Sequence, residues 1–377
     1  MHASPIGGIQ PGLAEQQTPP RRRLARGRLV LLALGGACLL AGLDAALLLV
    51  GVWAPVDSDR LPGLHGIVMV LGFLGTVIAL ERAQSLGRAW GYLAPAVLAT
   101  GSLALIVGAP AMLGKLLLVQ GCAFFVAVYV ALWRRAPVAM VAVQVLSAVL
   151  ALCAALLWLV IGVENLLTFL AGFIVLTIGA ERAELAQLTM GPRAPGRLVT
   201  LAAALVAAIL ASMLWPPVGM RAFGLAVLGF AVWLVRDDVA RRFIRTQGLR
   251  RYNAAALLAG YVWLALAGLT WLVNGYPGTQ PAYDIVIHGT FLGFAVSMIM
   301  AHAPIIFPAV LGRPLPYRPI SWLPLLMLHL GMAARVVGDI SGNNFIWQTG
   351  SVITVLAMLV FLMVSVVLVV THRDQRG

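Results

Sequence analysis

Charge is what this sequence has least of. Of its 377 residues only 10% are charged, whereas 61% are hydrophobic and the mean hydropathy is +0.97. A water-soluble domain carries about 25% charged and about 45–50% apolar residues. No soluble core of this size hides so much apolar surface, so a soluble enzyme is excluded, and a disordered chain with it. Cysteine is scarce too. Cys38, Cys122 and Cys153 all sit inside apolar stretches, with no C-x-x-C spacing. Disulfide chemistry and a cysteine-ligated metal are thereby set aside. Lysine is almost missing, since 25 of the 26 basic residues are Arg. The net charge of +13 does not indicate nucleic-acid binding, because most of those arginines lie between apolar runs.

What is present is a succession of long apolar runs. They lie near 29–53, 64–82, 89–109, 112–133, 137–162, 165–183, 198–215, 219–235, 253–274, 284–310, 320–341 and 347–371. A bilayer crossing takes about 20 residues, so these are twelve candidate spans. The first is too long for a signal-peptide core and lacks a cleavage site, which makes it a retained span. The expectation is an all-α polytopic membrane protein. Residues 1–28 form a disordered basic cytoplasmic N-terminus, 29–371 a single twelve-helix domain, and 372–377 a cytoplasmic tail. Placing the N-terminus inside puts 22 basic residues in inner segments; Arg60, Lys115 and Arg221 fall in outer loops, and Arg335 within a span. That asymmetry obeys the positive-inside rule and sets both ends in the cytoplasm.

A motif recurs on spans two, six and ten. Gly72-Phe73 is followed after seven residues by Glu81-Arg82-Ala83, Gly172-Phe173 by Glu181-Arg182-Ala183, and Gly293-Phe294 by His302-Ala303. Each motif lies on the second helix of a four-helix block, so the chain reads as three quartets. Chance recurrence of Gly-Phe pairs is the alternative.

Six histidines are present, and four of them, His65, His288, His302 and His329, lie within spans. His65 precedes Gly72 by seven residues and His288 precedes Gly293 by five, both on spans running inward. Their imidazoles share a depth near the outer surface. His302 and His329 match in depth nearer the inner surface. Facing imidazoles on neighbouring helices suit the axial positions of a haem iron. Small residues beside them, Gly63, Gly66, Gly72, Gly289 and Gly293, would let a flat macrocycle approach. A plain interhelical hydrogen bond is the competing reading for each His. Arg335 and Asp339 share one face of span eleven. Arg335 reads either as a partner for haem propionates or as an internal pair with Asp339. Asp44 has no partner nearby in the sequence. Glu81/Arg82 and Glu181/Arg182 read as structural ion pairs, and the arginines from Arg236 to Arg251 as a topology and headgroup signal.

Together these features resemble subunit I of the haem–copper oxidases, with twelve spans and a low-spin haem held by one His on span two and one on span ten. The local sequences are more similar to NnrS-type membrane proteins, haem- and copper-containing relatives tied to nitric oxide response in bacteria. That family's first His-rich helix runs His-x-His-Glu-x-x-x-Gly-Phe. Here His65-Gly-Ile-Val-Met-Val-Leu-Gly72-Phe73 keeps the first His and replaces the second His and the Glu by Ile67 and Val68. The later helix, His-Ala-Leu-x-x-Gly in the family, reads His288-Gly-Thr-Phe-Leu-Gly293, with Met298-Ile299-Met300 following. The resemblance implies a bacterial inner-membrane protein with one b-type haem on His65 and His288. From their placement in the spans, Arg335 and Asp339 would stand beside that haem, and His302 and His329 would hold a second haem or a copper ion, take part in a proton relay, or hold nothing. Copper is implied by the family, but Ile67 removes one of its ligands. The oxidases' three-His copper site and cross-linked Tyr have no match, so dioxygen reduction is not expected. Expected partners are membrane lipid, a quinone or cytochrome redox partner and nitric oxide, and oxidoreductase chemistry would be electron transfer or gas detoxification. The rival from another class is a cofactor-free transporter or channel.

Overall fold

A computed structural model of the chain describes residues 21–312 and 315–374. Among the described residues no strand occurs, and twelve helices are long and apolar enough to cross a membrane. In chain order they are α1 (Arg26–Val50), α2 (Leu61–Leu86), α3 (Ala89–Ile106), α4 (Ala111–Arg135), α5 (Ala139–Leu157) and α6 (Val163–Leu185). The second half comprises α7 (Ala194–Leu214), α8 (Pro216–Asp237), α9 (Gly248–Asn274), α10 (Gln280–Ile305), α11 (Pro319–Ser341) and α12 (Asn344–Thr371). Each coincides with one of the twelve apolar runs. The protein is therefore an all-α, multi-pass membrane protein.

The chain ends differ from expectation. Of the segment read as disordered, residues 1–20 lie outside the described residues. Residues 21–28 are helix, because the helix containing α1 already starts at Arg21. Arginine is a good helix former, and Arg28 is tied down by a 2.8 Å bond from its Nη1 to Oε1 of Gln84 near the end of α2. The last helix runs on to Asp374, and residues 375–377 lie outside the described residues.

That Arg28–Gln84 bond joins the start of α1 to the end of α2. Near the start of α12, Gln348 donates at 3.1 Å to the carbonyl of Val50, the last residue of α1. The first and last spans are thus antiparallel neighbours. The start of α1 and the end of α12 share one end of the bundle, called here the near end; the opposite is the far end.

Burial separates the spans into centre and periphery. The most apolar stretch of α6 is 83% buried, that of α10 67% and that of α2 61%, against 22% for α12. The three most enclosed spans are the three that carry the Gly-Phe motif. Outward faces stay apolar, with Leu210, Val262, Leu330 and Ile340 largely exposed, as suits helices whose solvent is lipid tail rather than water.

Two central spans share a local irregularity. The backbone takes π geometry over Val68–Gly75 in α2 and over Gly289–Val296 in α10. Gly72-Phe73 and Gly293-Phe294 are the fifth and sixth residues of these stretches. The α6 motif, Gly172-Phe173, lies in unbroken α-helix from Leu167 to Leu185. A π turn admits one extra residue and re-aims the side chains beyond it, which is why such turns recur at functional sites. Here each stretch follows closely on a histidine, His65 or His288.

The hairpin of α11 and α12 is unusually close. A Cβ on Gly338 would meet the Cα of Trp347 at 2.6 Å, and one on Gly350 would meet the carbonyl oxygen of Gly331 at 2.7 Å. Only glycine lets the two backbones approach this far. The contact seats Arg335 of α11 against Trp347 of α12, its guanidinium 5.3 Å from the ring centroid.

Candidate functional site

The far end collects ionisable groups from α1, α2, α10 and α11. His65 lies in the first turns of α2, and its Nδ1 is 2.8 Å from the carbonyl oxygen of Gly42 on α1. His288 ends the regular first part of α10. Its Nδ1 lies 3.1 Å from the backbone oxygen of Asp284 and 3.0 Å from Oδ1 of the same residue. Carbonyl and carboxylate oxygens only accept, so each Nδ1 carries the proton and each Nε2 of a neutral ring keeps its lone pair. Metal-bound histidines are commonly held this way, by a second hydrogen bond to a carbonyl or carboxylate.

The two rings are neighbours, with centroids 6.5 Å apart and planes tilted by 32°. Imidazoles on opposite sides of one metal ion have centroids about 6 Å apart, from metal–nitrogen bonds of about 2.0–2.1 Å and a ring radius of about 1.1 Å. The separation therefore fits one shared ion.

Arg335 does not form the internal pair with Asp339 that was one of its two expected roles. Its Nε and Nη2 make a fork of two 2.6 Å bonds to Oδ2 and Oδ1 of Asp284. Its bidentate partner is thus Asp284 and not Asp339, and the bonds to Asp284 use only the Nε and Nη2 edge of the guanidinium. The physical reason is register: Asp284 on α10 faces α11 and offers both oxygens to a planar fork. Arg335 thereby fixes Asp284, and Asp284 fixes His288. Asp339 lies beside Asp284, and its Oδ2 is buried without a partner. Asp44 uses Oδ1 to accept from the backbone of Val56 at 3.0 Å, clamping the loop before α2, while its Oδ2 is also unpartnered.

The glycines divide by role. Gly72 makes room for Ser102, Gly289 for Ala267 and Gly293 for Trp263, so these three serve helix packing. A Cβ on Gly63 would meet nothing within 4 Å, and one on Gly66 only Val163 at 3.7 Å. Of the five, only these two are not closely packed against a neighbouring helix, and Gly63 is exposed at the surface.

Nearer the other end, His302 and His329 take separate partners instead of forming a pair. Arg182 makes a bidentate bond to Asp238, at 2.8 and 2.9 Å, and its Nη1 lies 3.0 Å from Nε2 of His302. A guanidinium only donates, so the His302 lone pair is taken and cannot serve a metal. Tyr261 adds a 2.7 Å bond to Oδ2 of Asp238. The expected Glu181–Arg182 pair is replaced by Arg182–Asp238. Arg82 instead reaches both Glu81, at 2.6 Å, and Glu181, at 3.2 Å. His329 accepts from the indole of Trp263 at 2.9 Å through Nδ1, which leaves Nε2 protonated, buried and unpartnered. Among the described residues no group of three or more His, Cys, Asp or Glu side chains is placed to hold a metal ion.

Asp284, Asp238 and Tyr261 are the residues that reading the sequence missed. Asp284 had a signal, four residues before His288 on the same helix face. Asp238 and Tyr261 had none short of the three-dimensional arrangement.

Residues 28–370 match the model of a family described as Domain of unknown function (DUF8744). No curated protein matches the chain.

Proposed function

We propose that the chain, which belongs to the DUF8744 family, is an electron-transfer protein of the bacterial inner membrane that holds one b-type haem between His65 and His288. The observation that carries this reading is the pair of imidazoles with centroids 6.5 Å apart, each with Nδ1 anchored and Nε2 free. When bound, the group supplies one-electron redox chemistry, tuned by its two imidazole ligands and by burial. The protein's own part is positional. Gly42 orients His65, and the Arg335–Asp284 pair orients His288 without adding net charge.

A haem held by both His65 and His288 would have no position left for a gas, which favours electron transfer over gas binding. The inner histidine pair offers no alternative, because the His302 lone pair is engaged by Arg182. The resemblance to NnrS-type proteins thus extends here to the haem, and not to nitric oxide or copper chemistry. The arginine asymmetry supports a cytoplasmic near end, and the recurring Gly-Phe motif supports descent from three four-helix units.

The test is a reduced-minus-oxidised visible spectrum of the purified protein with a pyridine haemochrome assay. One b-type haem per chain, lost in His65→Ala and in His288→Ala, is expected. A colourless protein after expression with ample haem would overturn the reading and favour the cofactor-free transporter.

A further inference from the structure

Glu81, Glu181 and His302 stand at one equivalent position, nine residues after Gly72, Gly172 and Gly293. All three line a single chamber, a cleft between α1, α2, α6 and α10 with a cavity volume of about 80 Å³. Its walls are apolar, built from Leu32, Ile78, Ile174, Met298, Ile299 and Phe307. Leu32, Ile78, Ile299 and Phe307 are partly exposed, so the chamber communicates with the lipid-facing surface. Its polar floor is unbalanced. Two carboxylates share one Arg82 nitrogen, so they have more accepting capacity than that guanidinium fills. His302 offers nothing further, being bound to Arg182 on one side and to the carbonyl of Met298 on the other. Beside the same carboxylates the hydroxyl of Tyr129 is fully buried and has no partner. An apolar chamber with spare acceptors at its floor fits a lipid-soluble molecule whose head donates hydrogen bonds.

We infer that this chamber binds the hydroquinone head of a tailed quinol, its ring hydroxyls donating to Glu81 and Glu181 and its tail leaving past Leu32 and Phe307. The choice of a hydroquinone over an amine rests on the electron-transfer reading above, which calls for a membrane-soluble electron donor. The cavity has room for the ring alone, its apolar walls suit that ring, and the two carboxylates offer acceptors to its hydroxyls.

The test titrates a decyl-tailed hydroquinone into the purified full-length chain and measures bound ligand by equilibrium dialysis. Two further probes are the same ring with both hydroxyls methylated, and decylamine. The hydroquinone is expected to bind at least about tenfold more tightly than either, a difference of about 1.4 kcal/mol. The Glu81→Gln/Glu181→Gln double variant should lose that preference. Ile299→Trp, which fills the chamber and leaves the carboxylates in place, should lose binding altogether, and it decides the matter if the double variant does not fold. Equal binding of the methylated ring, preferential binding of decylamine, or unchanged binding in Ile299→Trp would each overturn the inference. The two readings fail separately. A coloured protein that ignores the hydroquinone overturns only the chamber; a colourless one that binds it overturns only the haem.

Discussion

Asp284 is held from both sides, by the fork of Arg335 and by the ring of His288. A buried carboxylate that loses its only cation is left uncompensated, at a cost of about 3–5 kcal/mol. Arg335→Met should therefore lower stability in detergent by about that much, as read from denaturant or thermal unfolding. The double change Arg335→Met/Asp284→Leu should recover most of the loss, since neither charge then remains buried. Asp284→Asn keeps the shape of the side chain while weakening its grip on His288. Changes to groups that orient a ligand cost about 10–100-fold in metal affinity, and haem titration of this variant should show a loss of that size. His302→Ala should leave the visible spectrum unchanged. A lost α-band in that variant would return His302 to the list of ligands. At this scale the sequence was half legible. His65 and His288 could be matched because both precede a Gly-Phe pair at similar distance. Arg335 and Arg182 could not be given their partners, which lie 51 and 56 residues away and depend on how helices turn against one another.

The π stretches of α2 and α10 matter because they set the angle between the two halves of each helix. Removing one residue from such a stretch restores α-helical register and turns one half by about 100° against the other. Deletion of Met69 should therefore swing His65 away from His288 while the near-end half of α2 keeps its contacts. The expected readout is a protein that still reaches the membrane and elutes as before but binds no haem. Retention of a full haem complement would mean that the π geometry is incidental. No compositional feature announces these stretches, because a π turn depends on local backbone hydrogen bonding and not on apolar periodicity. The spans themselves were legible, all twelve of them. Hydropathy over about 20 residues is a local property, and a lipid-facing helix must satisfy it unaided.

For the molecule as a whole, the positive-inside asymmetry makes a topological prediction. Alkaline phosphatase fused after Ser58, in the far-end loop, should be active, and the same enzyme fused after Thr246, in the near-end loop, should be inactive. The reverse pattern would place the candidate haem site on the cytoplasmic face. The orientation is an expectation drawn from charge placement, whereas the burial of α2, α6 and α10 at the centre emerges only in the fold. The position of Asp284 in the chain has a consequence of another kind, in time. Its counter-ion Arg335 lies 51 residues downstream, and at about 5–20 residues per second a ribosome takes several seconds to deliver it. During that interval α10 carries an unpaired acid near its far end. The pocket around His288 is finished only when the α11–α12 hairpin arrives, so synthesis must be almost complete before a cofactor can be locked in. Were the proposed haem bound, its loading would be a late event in the life of each chain, out of reach of a polypeptide truncated before Pro319.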